Sequence, residues 1–248
     1  MPATPAWPPR STPRLFVDRE LVAGPLRIDG PAAHYLGAVM RLGEGDPVKL
    51  FDDRTGEWLA VVAASGKRAI DLDVRDRLAE REAVPDLWLC AAPLKKGRVD
   101  WVAEKACELG VARLVPVVTR RTVVDRPNTD RLRAHMVEAA EQCGRTALPE
   151  MAEAVALERL LADWPAGRHL FFADETGGAP ALAAMRERPG PAAVLVGPEG
   201  GFDTAEGEAI RAVPGAVGVS LGPRILRAET AAAAAISLWM AAAGDWRG

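Results

Sequence analysis

From Leu87 onward, short apolar runs alternate with amphipathic stretches. The runs predict strands at 87–91, 113–118, 169–173, 193–196 and 217–221, and the 3.6-residue periodicity between them predicts helices at 98–109, 130–144, 179–187, 203–212 and 230–243. Such alternation implies a mostly parallel sheet with helices on both faces, an α/β architecture. The preceding stretch reads differently. Residues Arg14 to Val17, Val48 to Asp52, Glu57 to Ala64 and Ile70 to Val74 are β-branched or alternating, and turns at Gly24-Pro25, Gly43 to Asp46, Arg54 to Gly56 and Ser65 to Lys67 separate them. One helical stretch, Pro31 to Arg41, interrupts them. These features predict a small β-barrel at 14–83, an α/β domain at 84–248, and a loose arm at 1–13, which carries five prolines.

Composition narrows the class. The chain has 248 residues, 49% of them apolar and 26% charged, as in a soluble globular protein. Its net charge is −3, so contact with nucleic acid has to come from local basic patches. The cysteines Cys90, Cys107 and Cys143 are odd in number and sit in apolar or helical patterns, which implies reduced thiols and a cytoplasmic protein. Neither they nor the scattered His34, His135 and His169 have metal-site spacing, so no metal is expected. The start of the chain shows no signal peptide. The run Ala231 to Ala243 is too short and alanine-rich to span a bilayer. It reads as a buried helix or a subunit interface, where Leu238, Trp239 and Met240 would meet a partner.

Two strand-to-helix loops hold the candidate chemistry. The first, Val196-Gly197-Pro198-Glu199-Gly200-Gly201, has three glycines that let backbone approach a ligand, and Asp203 with Glu206 has capping-box spacing. It is neither a dinucleotide fingerprint nor a phosphate loop, and Glu199 favours a cationic or neutral ligand over a triphosphate. The second, Leu221-Gly222-Pro223 followed by Arg224, Arg227, Glu229 and Thr230, leads into the alanine helix, with Thr230 placed to cap it. Each loop also has a plainer reading, as a tight glycine turn with surface arginines. The helical face Glu138, Glu141, Gln142, Arg145 is either solvated or turned toward a cleft. Lys95, Lys96, Arg98, Arg120 and Arg121 follow the first two strands of the α/β region and form a basic rim suited to phosphate contacts.

Together, the segments LKKGRVDWVAEKACELGVARLVPVVTRR, EAAEQCGR, LVGPEGGFDTAE and LGPRILRAETAAAAA resemble the RsmE family, the 16S ribosomal RNA uridine-N3 methyltransferases of the SPOUT superfamily. The resemblance runs from about Arg14 to Trp239. His34-Tyr35-Leu36, Arg41, Gly45-Asp46 and Leu50-Phe51-Asp52 look like that family's PUA-like barrel. Two departures stand out: Arg121 replaces a more usual small hydroxyl residue, and the proline-rich arm is long. The resemblance implies a SPOUT-type parallel sheet with a C-terminal deep trefoil knot, preceded by a PUA-like β-barrel, and a homodimer. It also implies S-adenosylmethionine held by Val196, Gly197, Pro198, Glu199, Gly200, Gly201, Leu221, Gly222, Arg224, Ile225, Leu226, Thr230 and Ala231.

The substrate so implied is 16S rRNA or the 30S subunit, held by Arg14, Arg41, Lys95, Lys96, Arg98, Arg120, Arg121 and Arg145. Methylating N3 requires loss of its proton. Glu141 or Glu229 is expected as acceptor and Arg227 as the group that stabilises the anion, with Arg227 and Glu141 favoured. The alternatives are another SPOUT enzyme methylating ribose 2′-O, and a non-catalytic RNA-binding assembly factor. The completeness of both loops weighs against the second.

Overall fold

A computed structural model describes residues 12–66, 68–95, 97–124 and 126–246. The chain divides into two compact units, one of residues up to 83 together with 140–147, the other of 84–139 and 148 onward. Segment 140–147, expected in the α/β domain, thus belongs to the first unit.

The first unit holds β1 (Arg14–Phe16), β2 (Gly24–Asp29), α1 (Gly30–His34), β3 (Pro47–Phe51), β4 (Glu57–Ser65) and β5 (Ala69–Ala79), paired in the order β1-β3-β4-β5-β2. Strands from both ends of that order fill one core: Leu15 of β1 and Leu26 and Ile28 of β2 join Leu50, Val62 and Leu72. The sheet therefore curls around them, helped by register shifts between β4 and β5. β2 lies where the sequence suggested only a turn at Gly24-Pro25; Pro25 is tolerated because β2 ends the strand order and pairs only with β5. The expected helix 31–41 is α1 continued as a π-turn over Tyr35–Val39, closed by Leu42 N donating to Leu36 O at 3.0 Å around a left-handed Arg41 (φ 56°).

Two polar groups, buried Asp52 and half-buried Arg14, brace this unit. Asp52 accepts from Leu21 N (2.7 Å), Arg54 N (2.9 Å), Thr55 N (2.7 Å) and Thr55 Oγ1 (2.7 Å). Burial pushes its carboxyl up, but these four donors outweigh it and hold the group below its ordinary value. Arg14 stacks over Phe51, pairs with Glu57 at 2.6 Å and donates to the backbone oxygens of Ala140, Glu141 and Arg145.

The second unit begins with β6 (Leu87–Ala91), α2 (Arg98–Glu108), β7 (Arg113–Val118), α3 (Thr129–Cys143), whose last residues fall in the first unit, β8 (Glu150–Met151), β9 (Val155–Ala156) and α4 (Leu157–Ala162). β10 (His169–Ala173), β11 (Ala179–Pro180), α5 (Ala181–Arg186), β12 (Ala192–Val196), α6 (Thr204–Ala212), β13 (Ala216–Ser220) and α7 (Ala228–Ala242) follow. The strands pair in the order β11-β13-β10-β12-β6-β7-β8, with β9 also on β7, and every pair is parallel. β12 is buried throughout, as a central strand covered on both faces must be. Leu157 of α4 and Ile210 of α6 cover Cys90, Val115, Phe172 and Leu195, while α7 packs on α2, α5, β6 and β12.

The five expected strands and five expected helices of this unit are present within about two residues, which is the usual uncertainty of element ends. α4 and the two-residue strands β8, β9 and β11 lay below what periodicity resolves. Trp239 and Met240, expected to meet a partner, are instead buried within the subunit. Gly110 lets Met240 pack close: a Cβ there would lie 3.3 Å from the Met240 methyl.

Candidate functional site

β12 delivers the chain into the first glycine loop. Gly201 has φ +66°, which L side chains rarely adopt, and a Cβ on Gly197 would crowd the Phe202 ring at 3.2 Å, so both positions favour glycine. The loop ends at the expected capping box of α6: Asp203 and Glu206 accept each other's backbone N–H. Hydrogen bonding from Glu206 N and then the Arg120 guanidinium hold the Asp203 carboxyl below its ordinary value.

Arginines expected on an RNA rim grip this loop. Arg121 Nη1 donates to Gly200 O (2.5 Å) and Phe202 O (3.4 Å). Arg120 donates through Nη1 to Asp203 (2.9 Å) and through its backbone N to Glu206 (2.7 Å). Arg98, the first residue of α2, reaches Glu199 at 2.9 Å.

β13 delivers the second loop. Gly222 has φ +114°, Arg224, Ile225 and Arg227 are exposed, and Leu221 and Leu226 are half-buried. Thr230 does not cap α7. The helix starts at Ala228, since alanine extends a helix readily and Arg227 is the residue whose backbone is extended (φ −64°, ψ 152°). The N-cap carries no side-chain hydrogen bond, so the first-turn N–H groups of α7 lack that partner, and Thr230 lies exposed within that first turn. Glu229, in the same turn, has Oε1 3.6 Å from Arg98 Nε, while its Oε2 is buried without a hydrogen-bond partner among the described residues.

Beside the start of the first loop and the head of α7 lies an apolar pocket, lined by Ala91, Leu94, Val99, Val196, Ala228 and Ala232 among others. Its walls come from the C-terminal ends of strands and the start of α7, where parallel α/β sheets bind ligands. Leu94 and Val99 were not singled out from the sequence; the signal was the apolar stripe of the predicted helix 98–109. The cofactor positions expected from the sequence follow β12 and β13, which flank β10 in the sheet: Val196 and Pro198 are buried, Gly197 and Gly201 half-buried, Glu199 and Gly200 exposed, and Ala231 is buried behind Thr230.

The other expected residues divide. Arg14 is half-buried and Arg145 buried in the first unit; Arg14 pairs with Glu57 at 2.6 Å and Arg145 with Glu82 at 2.8 Å, so both guanidinium groups are engaged within the chain. Glu141 Oε1 accepts from Phe16 N at 2.9 Å. Arg41 and Lys95 are exposed. Lys96 lies outside the described residues, as does most of the proline-rich arm. Among the described residues there is no group of three or more His, Cys, Asp or Glu able to hold a metal, and no helix long and apolar enough to cross a membrane.

A family model described as an RNA methyltransferase domain matches residues 80–240, and one described as an RNA methyltransferase PUA domain matches residues 28–75. The ribosomal RNA small subunit methyltransferase E of Rickettsia conorii is 29% identical over 207 residues, covering 82% of this chain and 84% of that protein. Its namesake in Bacillus subtilis is 28% identical over 224 residues, covering 85% and 87%. Among solved structures, ribosomal RNA small subunit methyltransferase E from Neisseria gonorrhoeae, bound to S-adenosyl methionine, superposes with a TM-score of 0.86 at 26% identity, covering 95% of this chain and 99% of that one. A methyltransferase from Legionella pneumophila, in complex with the same cofactor, gives 0.83 at 28% identity, covering 94% and 98%. With its larger domain matched from 80 to 240 and a PUA domain ahead of it, the chain belongs to the RsmE family of RNA methyltransferases.

Proposed function

We propose that this protein transfers a methyl group from S-adenosylmethionine to N3 of a uridine in 16S ribosomal RNA of the small subunit, in the cytoplasm and as a homodimer. The observation that carries the reading is an apolar pocket lined by Val196 and Gly197 at the first glycine loop and by Ala228 and Ala232 of α7, with Glu199 and Glu229 on those same two segments both paired to Arg98. The residues fit the cofactor. An apolar wall suits adenine, backbone at glycines allows close approach, and a buried carboxylate oxygen without a donor suits a cationic ligand. The strand order supports a deep trefoil knot at these loops, since β13 enters between β10 and β11 and α7 then packs back on β6 and β12. Ile225, an apolar side chain 88% exposed on the second loop, supports a partner subunit there. Sedimentation as a monomer at micromolar concentration would overturn the dimer.

When bound, the cofactor supplies an electrophilic methyl group on a sulfonium. The chain's own residues do the rest. The loops fix the geometry, and alignment of this kind lowers a barrier by roughly 7–11 kcal/mol. N3 lies on the Watson–Crick edge, so the uridine must be unpaired or flipped. Glu229 takes the N3 proton on its free oxygen, and the exposed Arg227, the N-cap of the same helix, stabilises the resulting anion. Glu141, whose Oε1 accepts from Phe16 N–H, is the other candidate acceptor. Proton transfer by such a group contributes about 100- to 10,000-fold. Arg41 and Lys95 are the exposed cations assigned to RNA phosphates.

The test is incubation with small subunits and labelled S-adenosylmethionine, followed by nucleoside mass analysis. N3-methyluridine is expected, and Glu229→Gln should lower kcat by about 100-fold or more. Label appearing on ribose 2′-O, or none on RNA, would overturn the assignment.

A further inference from the structure

The sequence places Arg98 beside Lys95 and Lys96, as one more cation for phosphate. The structure puts its guanidinium elsewhere. Nη1 donates to Glu199 of the first loop at 2.9 Å, and Nε lies 3.6 Å from Glu229 Oε1 at the head of α7, below the second loop. Two carboxylates already neutralise this one cation, so it has no net charge to offer an RNA phosphate. Resting on the methyltransferase reading, we infer that Arg98 is a positioning residue: it ties the two cofactor loops to each other and turns Glu229 so that Oε1 is held and Oε2 is left free.

The chemistry favours arginine for this task. A guanidinium presents its N–H groups in a rigid planar fork, so two carboxylates on different segments are fixed in mutual orientation. A lysine is a point charge on a flexible stem and fixes distance without orientation. Gly97 begins α2 in a conformation with φ +90°, which an L side chain adopts poorly, and this sets Arg98 at the first helical position. The Glu229 side chain is only 16% exposed, so losing the neighbouring cation would leave a carboxylate largely buried and uncompensated. The Arg98–Glu199 pair is half-exposed, and such pairs add little to global stability. Removing Arg98 should therefore lower cofactor affinity and turnover, and the buried Glu229 carboxylate left unpaired should lower the melting temperature as well.

The test uses the full-length protein with three variants: Arg98→Ala, Arg98→Lys and Glu199→Gln. Calorimetric affinity for S-adenosylmethionine should fall at least about tenfold in Arg98→Ala, as expected for a lost charge-assisted contact. kcat should fall by about 100-fold, the scale on which misplacement acts. KM for RNA and the salt slope of RNA binding should stay as in the wild type. Arg98→Lys should recover part of the cofactor affinity and little of kcat, and Glu199→Gln should lower affinity without the full loss in kcat. The inference is overturned if Arg98→Ala binds cofactor within twofold of the wild type, or if it instead raises KM for RNA and lowers the salt slope by about 1. A wild type that binds cofactor but methylates a different atom would sink the uridine assignment and leave the cofactor-affinity test of Arg98 standing. A wild type that binds no cofactor would sink both.

Discussion

Asp203 and Glu206 use all four of their carboxylate oxygens on three backbone N–H groups and one guanidinium. Asp203 Oδ1 takes Glu206 N at 2.8 Å and Glu206 Oε2 takes Asp203 N at 3.0 Å, while Oδ2 and Oε1 take Arg120 Nη1 and Arg120 N at 2.9 and 2.7 Å. A helix cap has thus been extended into a clamp between the end of β7 and the glycine loop.

Removing this clamp should loosen the loop as well as the helix. Asp203→Ala is expected to destabilise the protein by about 1–2 kcal/mol, as lost N-caps do, and to weaken binding of S-adenosylmethionine. Denaturant melts and calorimetry measure the two effects. A variant that lost stability yet bound cofactor normally would separate the cap from the loop.

Acid should act on three carboxylates in the same direction. Asp52 and Asp174 would be raised by burial, but donors outweigh it: Leu21, Arg54 and Thr55 for the first, Thr176 and Arg211 for the second. Asp203 is lowered by Glu206 N and by Arg120. A carboxyl whose folded value lies below its unfolded one contributes stability above the ordinary range, and that contribution is lost as pH falls through the folded value. The melting temperature is therefore expected to hold above about pH 5 and to drop below about pH 4, where unfolded Asp takes up protons. Asp52→Asn should flatten part of this drop. It should also cost about 1–3 kcal/mol at neutral pH, because an amide cannot accept from both sides and leaves a buried donor unpaired.

Gly218 offers a sharper steric test. A Cβ there would lie 2.9 Å from Asp174 Oδ2 and 3.1 Å from Phe172 Cζ, so one methyl group must displace a hydrogen-bonded carboxylate or a core ring. Gly218→Ala is expected to destabilise by about 1–3 kcal/mol. Gly43→Ala is the control, since its Cβ would meet nothing nearer than Asp46 at 3.9 Å and no left-handed backbone is involved. Thermal melts of the two variants side by side decide it.

Arg41 occupies the position after a helix end that glycine fills most easily, with φ 56° and an exposed side chain. Arg41→Gly should raise stability by about 1 kcal/mol, the strain of a left-handed non-glycine residue, and at the same time weaken RNA binding with a salt slope smaller by about 1. Stability gained with RNA affinity unchanged would remove Arg41 from the RNA surface.

Much of the sheet was legible because its strands are buried on both faces, and a run such as Ala192 to Val196 leaves little other reading. The capping box was legible because Asp203 and Glu206 are local in sequence. The partners of the arginines were not. Arg14 closes on residues 126 and 127 positions away and Arg98 on one 101 away, and no periodicity records such a meeting. A cation's partners cannot be read from a sequence, so the expected RNA rim combined Lys95 with Arg98, Arg120 and Arg121, which grip a loop even though Arg120 and Arg121 are exposed. Thr230 was misread for a different reason: a hydroxyl at a helix start suggests a cap, but alanine propensity moved the start to Ala228.

The place of β13 has a consequence for how the protein comes into being. β10 and β11 flank it and pair with it through residues 216–219 and 219–220, so both wait for a strand made well after them. β6 in turn pairs with β12, Leu87 with Ala192, across more than a hundred intervening residues. Contacts this distant close slowly, because loop entropy is lost before they are made. During translation, the first unit's strands through residue 79 are complete early, whereas the parallel sheet stays an unfinished surface of apolar strand edges until residue 220 has emerged. Synthesis stalled after residue 147, where the first unit is complete, and before residue 220 would leave a folded small unit carrying an aggregation-prone half-sheet, which makes the nascent large unit the natural client for chaperones.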